Sequence, residues 1–441
     1  MEPHELTIRN LDAVESLLEE GILQTRTSAM QDLKILGCYF SRPLNRFGFP
    51  MVTLKSLQIW NCDNVGFLLP ELFRCHHPSL EELRIVHCKT DLSLSSSFSL
   101  SFSLAIFPRL IHFDIDSVDG LESLFISISE GEPTSLRSLE IDQCYDLKSL
   151  ALALALSSLQ RLTLAGCSQL LFHNIGLPSD LRELEIFNCN QLKPQADWGL
   201  QRLASLTKFE IGDGCQDVES FPEELLLPST LTTLEIEDFP LKSLDGRGLQ
   251  QLTSLTKLSI RHCPQLQFNL QEGFQLPSLM ELEIENCPGL QSFGEDFLRH
   301  LSSLERLSIE NCDALQTLTG SGLQHLTSLE ELDISCCPKL QSLKEAGLPC
   351  LASLKQLEIF DLPELQSLTE VGLQHLTSLE KLLIVKCPKL QSLTRERLPD
   401  SLSSLCIEGC PLLEQRCQFE GGAEWDYIAH IPRIDIDGEA F

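Results

Sequence analysis

The sequence predicts an α/β solenoid, a curved horseshoe with a parallel β-sheet on its concave face and short helical or 3₁₀ turns and loops on its convex face. Three observations predict this fold. The pattern Leu-x-x-Leu-x-Ile-x-x-Cys recurs through most of the 441 residues. Successive copies are 24 or 25 residues apart between Ile211 and Ile384. Within each copy, apolar and polar residues alternate with the period of two that characterises a β-strand.

Sixteen units align on one strand-centre residue. These residues are Ile35, Ile59, Ile85, Ile115, Ile141, Leu164, Ile186, Ile211, Ile236, Ile260, Ile284, Ile309, Ile334, Ile359, Ile384 and Ile407. The steps lie in the range of leucine-rich repeats and are shorter than those of helical repeats. We predict an irregular first repeat without a clear amino-terminal cap at 1–32, about 16 repeats of 22–30 residues at 33–410, and a carboxy-terminal cap at 411–441.

Each part of a unit has a predicted role. Alternation directs the Leu and Ile of the strand into the core and the residues between them outward, as in Leu332, Asp333 and Ile334. Leucines at three-residue spacing fill the core from the convex side, and a glycine precedes them where the chain must reverse. The recurring glycines are Gly322, Gly347 and Gly372. One unit is lengthened by the segment 89–108, which we expect to form a long convex-side loop.

Cysteine occupies the last position of the pattern in twelve of the sixteen units. This predicted structural cysteine ladder comprises Cys38, Cys62, Cys88, Cys144, Cys167, Cys189, Cys263, Cys287, Cys312, Cys337, Cys387 and Cys410. A thiol suits an apolar site, and other units place Val118, Phe239 or Leu362 there, so we interpret the position as core. Ladder cysteines on adjacent strands would lie close enough for unwanted disulfides, which favours a reducing, cytoplasmic location.

Composition excludes several classes of partner. The chain has 63 acidic and 33 basic residues, a formal net charge of −30, which disfavours nucleic acid and anionic membrane surfaces. No apolar stretch is long enough to span a membrane, and the first residues, "MEPHELTIRN", do not resemble a signal peptide. We therefore expect a protein partner, no nucleic acid and no membrane insertion.

No catalytic motif stands in the right context. The chain lacks a phosphate-binding G-x-x-x-x-G-K-[ST] loop and the H-E-x-x-H and G-x-S-x-G motifs. The cluster "RCHHP" at 74–78 and the spacing of Cys406, Cys410 and Cys417 do not match paired zinc ligands. We expect no enzyme activity, no catalytic or metal site and no cofactor.

Candidate binding residues lie at the outward positions of the strands. Two nearly identical segments, 322–343 and 372–393, differ only at four positions around Ile334 and Ile384, where the second copy carries Lys381, Leu383, Val385 and Lys386. With these, the predicted partner-binding residues are Trp60, Val86, Asp114, Glu140, Glu185, Phe187, Glu210, Glu235, Glu283, Asp333, Glu358 and Phe360. The acidic members are consistent with a solvated face or with a docking surface for a basic partner, and aromatic residues on such a surface are typical of binding hot spots.

The carboxy-terminal residues 401–438 resemble the end of the leucine-rich-repeat domain in plant coiled-coil nucleotide-binding leucine-rich-repeat (NLR) disease-resistance proteins. The motifs "CPLLEQRC" at 410–417 and W-x-x-I-A-H-I-P from Trp425 to Pro432 carry the resemblance. It implies recognition of a pathogen effector or an effector-modified host protein, and restraint of a nucleotide-binding switch domain packed at the amino-terminal edge. ATP binding is not implied, because the chain has no phosphate loop.

Two other classes of protein remain open. Cysteine-containing leucine-rich repeats also occur in substrate adaptors of ubiquitin ligases, which would need an F-box-like helical segment before the repeats. An extracellular receptor domain is disfavoured because no Asn-x-Ser/Thr glycosylation sequon is present.

Overall fold

The computed structural model describes residues 5–10, 14–19, 30–46, 52–90, 98–129, 134–171, 177–195, 198–214, 218–268, 275–294, 297–419 and 421–441. The chain forms two compact units, Met1–Cys215 (unit 1) and Gln216–Phe441 (unit 2). No helix among these described residues is long and apolar enough to cross a membrane.

The described part of unit 1 contains twelve strands. They are β1 (Glu5–Arg9), β2 (Asp32–Leu36), β3 (Ser56–Trp60), β4 (Glu82–Lys89), β5 (Phe98–Ser103), β6 (His112–Asp119), β7 (Leu121–Ser127), β8 (Ser138–Asp142), β9 (Ser149–Leu152), β10 (Arg161–Ala165), β11 (Glu183–Phe187) and β12 (Lys208–Gly212). Strands β1, β2, β3, β4, β6, β8, β10, β11 and β12 form a parallel ladder in this order. Strand-centre residues pair with each other across it, as Ile35 does with Ile59.

A second sheet of unit 1 corrects our expectation for the lengthened repeat. Residues Phe98–Ser103 form β5, which pairs in parallel with β7, and β7 pairs with β9. The sequence of β5, FSLSFS, alternates apolar and polar residues, and Leu100 and Phe102 are buried. The predicted loop was wrong here because this alternation is itself a strand pattern. Residues 91–97 of the same insertion lie outside the described residues.

The described part of unit 2 contains another twelve strands. They are β13 (Ser220–Phe221), β14 (Thr233–Glu237), β15 (Ser243–Leu244), β16 (Lys257–Arg261), β17 (Glu281–Glu285), β18 (Arg306–Glu310), β19 (Glu331–Ser335), β20 (Gln356–Phe360), β21 (Lys381–Val385), β22 (Ser404–Glu408), β23 (Arg433–Ile436) and β24 (Glu439–Ala440). Strand β14 and strands β16 to β23 form a parallel ladder, on which β24 packs antiparallel to β23. Strands β13 and β15 form a separate pair. A strand thus contains each of the sixteen predicted centres, and the fold is the predicted leucine-rich-repeat solenoid.

Helices in the described residues are short. They are α1 (Glu15–Glu19), α2 (Leu69–Leu72), α3 (Gly246–Gln250), α4 (Pro411–Cys417) and α5 (Trp425–Ile428). Single 3₁₀ turns cover Val65–Phe67, Leu104–Ile106, Leu200–Arg202, Phe297–His300, Leu323–His325, Leu348–Cys350 and Leu373–His375. Gly322, Gly347 and Gly372 precede the last three turns with φ of 89°, 90° and 82°. This left-handed backbone favours glycine, so the predicted reversal points are confirmed.

The core follows the pattern of the repeat. In β19, Leu332 and Ile334 are buried, and Cys337 is buried after it. Val118, Phe239 and Leu362 are buried at the cysteine position of their own units, so the interpretation of this position as core is confirmed. Burying aliphatic side chains between successive repeats supplies the stabilisation that a single repeat cannot supply alone.

The ladder cysteines are buried. Cys62 shows their typical contacts: its Sγ lies 3.3 Å from the carbonyl oxygen of Trp60 and accepts the amide N–H of Cys38 at 3.4 Å. A thiol can both donate and accept weakly, so it links the turns of neighbouring repeats. Burial raises the pKa of Cys144 to about 12, which keeps that thiol protonated and unreactive at neutral pH.

A residue with positive φ directly precedes the ladder position in unit after unit. Asn61, Asn188, Asn286 and Asn311 have φ between 48° and 53°, and Gly166 has φ of 63°. Asparagine and glycine tolerate the left-handed region best. The frequent dipeptides Asn-Cys and Gly-Cys therefore signal a turn at the end of each strand, which the reading of the sequence overlooked.

Candidate protein-binding surface

The candidate surface is the outward face of the ladder strands. We define it by the first, third and fifth residues of a five-residue strand, such as Gln356, Glu358 and Phe360 in β20, whose second and fourth residues are buried. Neighbouring strands pair in register, so equivalent outward residues stand side by side. Outward side chains of consecutive repeats therefore form rows in which charges act on each other directly.

Most of the sequence-predicted binding residues lie on this outward face with partly exposed side chains, and Lys386 follows β21 as an exposed residue. Val86 and Val385 are different, because they are only 3% and 7% exposed. In the register, Val86 lies between Trp60 and Asp116. These two valines therefore offer almost no surface to a partner.

The first carboxylate cluster lies in unit 1 and consists of Asp114, Asp116, Glu140 and Asp142, on β6 and β8. Asp114 pairs in register with Glu140, and Asp116 with Asp142. No salt bridge joins any of the four to another described residue. Burial, followed by the charge of Glu140, raises the pKa of Asp114 to about 6, although Arg84 opposes the rise. The folded chain thus holds unneutralised negative charge here at a cost in stability.

Other predicted carboxylates of unit 1 are neutralised. Lys208 Nζ lies 2.7 Å from the carboxylate of Glu210 and 3.4 Å from that of Glu185. The hydroxyl of Thr163 also donates a hydrogen bond to Glu185 at 3.0 Å. These two acidic residues are part of the scaffold's own pairing and carry less unbalanced charge than the sequence indicates.

Unit 2 contains a network of ion pairs on β14 and β16 to β18. Lys257 Nζ lies 2.8 Å from the carboxylate of Glu283, whose pKa is lowered by Lys257 in spite of burial. The guanidinium of Arg261 lies 3.3 Å from Glu283 and 3.6 Å from Glu235. Two further predicted carboxylates, Glu235 and Glu283, are therefore neutralised by basic residues of the same face.

The second carboxylate cluster lies next to this network and consists of Glu310, Asp333 and Glu358, on β18 to β20. Burial, and then the charges of Glu285 and Asp333, raise the pKa of Glu310. Burial also raises the pKa of Asp333, with Glu358 adding to the rise, while the Ser335 hydroxyl, which donates to it, lowers it. No described basic residue forms a salt bridge with any of the three.

Apolar and basic residues border the second cluster. Phe360 and Leu383 lie half-buried on β20 and β21, one strand apart. The ammonium of Lys386 lies 5.0 Å from the centre of the Phe360 ring, within the range of a cation–π contact. This part of the face therefore combines apolar surface, an exposed cation and unbalanced carboxylates within neighbouring repeats.

One group of described residues has donor atoms close enough for a metal. Glu237, Asp238 and His262 have ligand-type atoms within 4.8 Å of one another. His262 Nδ1 lies 3.5 Å from Glu237, and its Nε2 lies 3.0 Å from the side-chain amide of Asn286. The Nε2 thus hydrogen-bonds to Asn286, whereas the Nδ1 is buried beside Glu237 without a hydrogen-bond partner among the described residues.

Sequence reasoning found Asp114, Glu140, Asp333 and Glu358 but missed the outward residues that complete their clusters. Those residues are Asp116, Asp142 and Glu310. They lie directly after the strand centre, and the alternation that identified the residue before the centre also identifies this one. Which carboxylates are neutralised depends on long lysine and arginine side chains that reach along their own strand or to the neighbouring one.

Comparisons with known proteins agree on the repeats. The family model of plant disease resistance protein RPS2-like leucine-rich repeats matches residues 269–411. An Arabidopsis thaliana protein named for disease resistance, At3g14460, is 31% identical over 304 residues, which cover 61% of this chain and 20% of the relative. The chain thus spans about a fifth of the length of that relative.

Two solved structures are similar to this chain. The Toll chain of the Drosophila Toll–Spätzle complex is similar over 92% of this chain and 60% of its own length, with 12% identity and a TM-score of 0.51. This likeness shows the shared fold. The TLR13 chain in its complex with ssRNA13 is similar over 98% of this chain and 68% of its own, with 18% identity and a TM-score of 0.44.

Proposed function

We propose that the outward face of this leucine-rich-repeat chain binds a protein partner in the plant cytoplasm. The proposal rests on the resemblance of the repeats to those of plant disease-resistance proteins. The partner is a pathogen effector or a host protein that an effector has modified. In a full-length receptor, the same repeats would restrain a nucleotide-binding switch domain. Leucine-rich repeats are typically recognition modules, and an extended sheet face of regular repeats suits that role.

One observation carries the proposal: in each unit one carboxylate cluster has no salt bridge among the described residues, while other outward carboxylates of the same unit are paired with basic residues. Asp114 and Asp333 have raised pKa values because burial and neighbouring carboxylates both disfavour their charge. A partner that brings basic groups to these clusters would relieve that repulsion on binding. The half-buried Trp60, Phe187 and Phe360 would supply apolar contacts beside the charged ones.

Matched charge-removing variants test the proposal. The substitutions D114N/E140Q and D333N/E358Q each remove two negative charges from one cluster. The control E223Q/E224Q removes two charges from exposed residues that lie outside the ladder strands. Candidate partners are selected from yeast two-hybrid libraries of pathogen effectors and of host plant proteins, and each is then produced pure for affinity measurement at low and high salt.

We expect at least one of the two cluster variants to weaken a genuine partner by about fivefold or more and to flatten its salt dependence, because two attractive charges are lost. The control should leave the affinity unchanged. Equal weakening by all three variants, or none by either cluster variant, would show that the clusters do not bind the partner. If the selected host partners were ubiquitin-ligase scaffold subunits, the adaptor function would replace this proposal.

A further inference from the structure

A cleft at the carboxy-terminal end of unit 2 is separate from the outward residues discussed so far. Its volume is about 510 Å³. Its walls include the aromatic rings of Phe419 and Phe441 and the carboxylates of Glu414, Asp437 and Glu439. Two aromatic rings and three acidic groups therefore meet in one concave site.

The aromatic side chains at the cleft pack against one another, yet two of them remain exposed to solvent. The rings of Phe419 and Phe441 are nearly parallel, 10° apart with centroids separated by 5.7 Å. Trp425 packs edge-on against both, with centroid distances of 5.1 Å and 5.8 Å. Nevertheless, Phe419 is 53% exposed and Phe441 is 43% exposed. Large apolar rings clustered at a surface mark a contact site more often than isolated ones do.

The carboxylates of the cleft have no cation of their own among the described residues. Glu414 accepts the backbone N–H of Cys410 at 2.6 Å, while Asp437 and Glu439 are exposed. Arg416, the basic residue of α4, is instead paired with Glu424 at 2.9 Å. The cleft is therefore negatively charged and repels anionic ligands.

We propose that this cleft binds an arginine side chain of a partner protein. A guanidinium is planar and stacks on aromatic faces, and its edge donates hydrogen bonds to carboxylates. Both features match the two kinds of wall. A neutral apolar side chain would leave the carboxylates unused, and the more strongly hydrated ammonium of lysine would gain less from the rings.

Fluorine NMR of the whole chain tests the cleft directly. The chain has three tryptophans, so labelling with 5-fluorotryptophan gives three resonances. The Trp425 signal is assigned with the variant W425F. The probe is N-acetyl-arginine amide at low ionic strength, compared with N-acetyl-citrulline amide, which has a similar shape but no charge.

We expect the arginine probe to shift the Trp425 resonance saturably and to leave those of Trp60 and Trp198 in place, while the citrulline probe has no saturable effect. F441L and D437N/E439Q should each weaken binding by about two- to fivefold, since each removes part of a cation–π or charge contact. D426N, which alters an exposed carboxylate of α5 outside the cleft, should bind like the original chain.

Equal responses to both probes would overturn the proposal. It would also be overturned if D426N weakened binding as much as the cleft variants do, or if F441L and D437N/E439Q both bound the arginine probe as well as the original chain. The Trp425 resonance of each variant without a probe reports whether this end of unit 2 is folded, because Trp60 and Trp198 lie in unit 1. This inference is independent of the outward face, because D114N/E140Q should leave the response of Trp425 unchanged even if that variant abolishes binding of an effector or host protein.

Discussion

Replacing Asp114 with asparagine should stabilise the region around β6 and β8 at neutral pH. The carboxyl of Asp114 is half-buried and stands opposite Glu140 in the parallel register. Asparagine has nearly the same shape and carries no charge. The substitution therefore removes the repulsion and the burial of charge while it leaves the packing of the strand in place.

The magnitude follows from the raised pKa. The folded pKa of Asp114 is about 6, against 3.8 ordinarily. Protonated Asp114 therefore contributes to the stability of the folded chain below pH 3.8, and this contribution is lost as pH rises through about 6. Linkage over this interval gives about 3 kcal/mol. Because the side chain is only half-buried, we reduce this to about 1–2 kcal/mol of local stability regained by D114N above pH 6.

Hydrogen–deuterium exchange of the peptides that cover β6 and β8 measures this local stability. At pH 7.5, amides of D114N should exchange about five to thirty times more slowly than those of the original chain, and at pH 4 the two should be nearly equal. D119N, on the exposed end of the same strand, is the matched control and should change little. Faster or unchanged exchange in D114N at pH 7.5, or an equal slowing at pH 4, would refute the assigned electrostatic cost.

Two further predictions concern buried groups and turns. His77 is fully buried, and burial lowers its pKa to about 4, so its neutral form contributes stability above pH 6.5 that is lost as pH falls to about 4. The loss amounts to up to about 3 kcal/mol, and H77Q should reduce it. The measurement is the difference between the urea unfolding midpoints of the variant and the original chain across that pH range. G347A should destabilise unit 2 by about 2–3 kcal/mol in urea unfolding, because a Cβ there would lie 2.6 Å from Cβ of Gln324 in the previous repeat, whereas G320A, also at positive φ but with open space around it, should cost only about 1 kcal/mol. Equal effects of the two glycine substitutions, or an H77Q curve parallel to that of the original chain, would contradict these explanations.

The fold could be predicted because the same pattern of buried residues recurs from repeat to repeat. A leucine, a strand-centre isoleucine and a cysteine must all be buried between neighbouring units, as Leu332, Ile334 and Cys337 are. Where the sequence of one repeat is ambiguous, the regular repeats on either side indicate its structure. The lengthened unit lacked that support, since β5 belongs to a second sheet with β7 and β9 and not to the ladder.

The candidate surface could be predicted only in part. Alternation places a side chain on the outward face, but it does not say whether that side chain is charged without compensation or covered by its neighbours. Glu283 and Asp333 have the same position in their repeats, yet Lys257 and Arg261 neutralise the first, and no described basic residue forms a salt bridge with the second. Such differences depend on the reach of flexible cations across the register, which a single strand's sequence does not contain.

The two nearly identical segments 322–343 and 372–393 differ both at outward positions and at a buried one. Glu331 is replaced by Lys381 and Asp333 by Leu383, and each pair lies outward on its strand. The replacement of Ser335 by Val385 is different, because both residues are buried, each only 7% exposed. In the first copy the buried Ser335 hydroxyl donates to the Asp333 carboxylate, whereas the second copy has the apolar residues Leu383 and Val385 at the two equivalent positions. Replacing Asp333 alone would therefore leave the buried Ser335 hydroxyl without this acceptor, whereas replacing both residues would not.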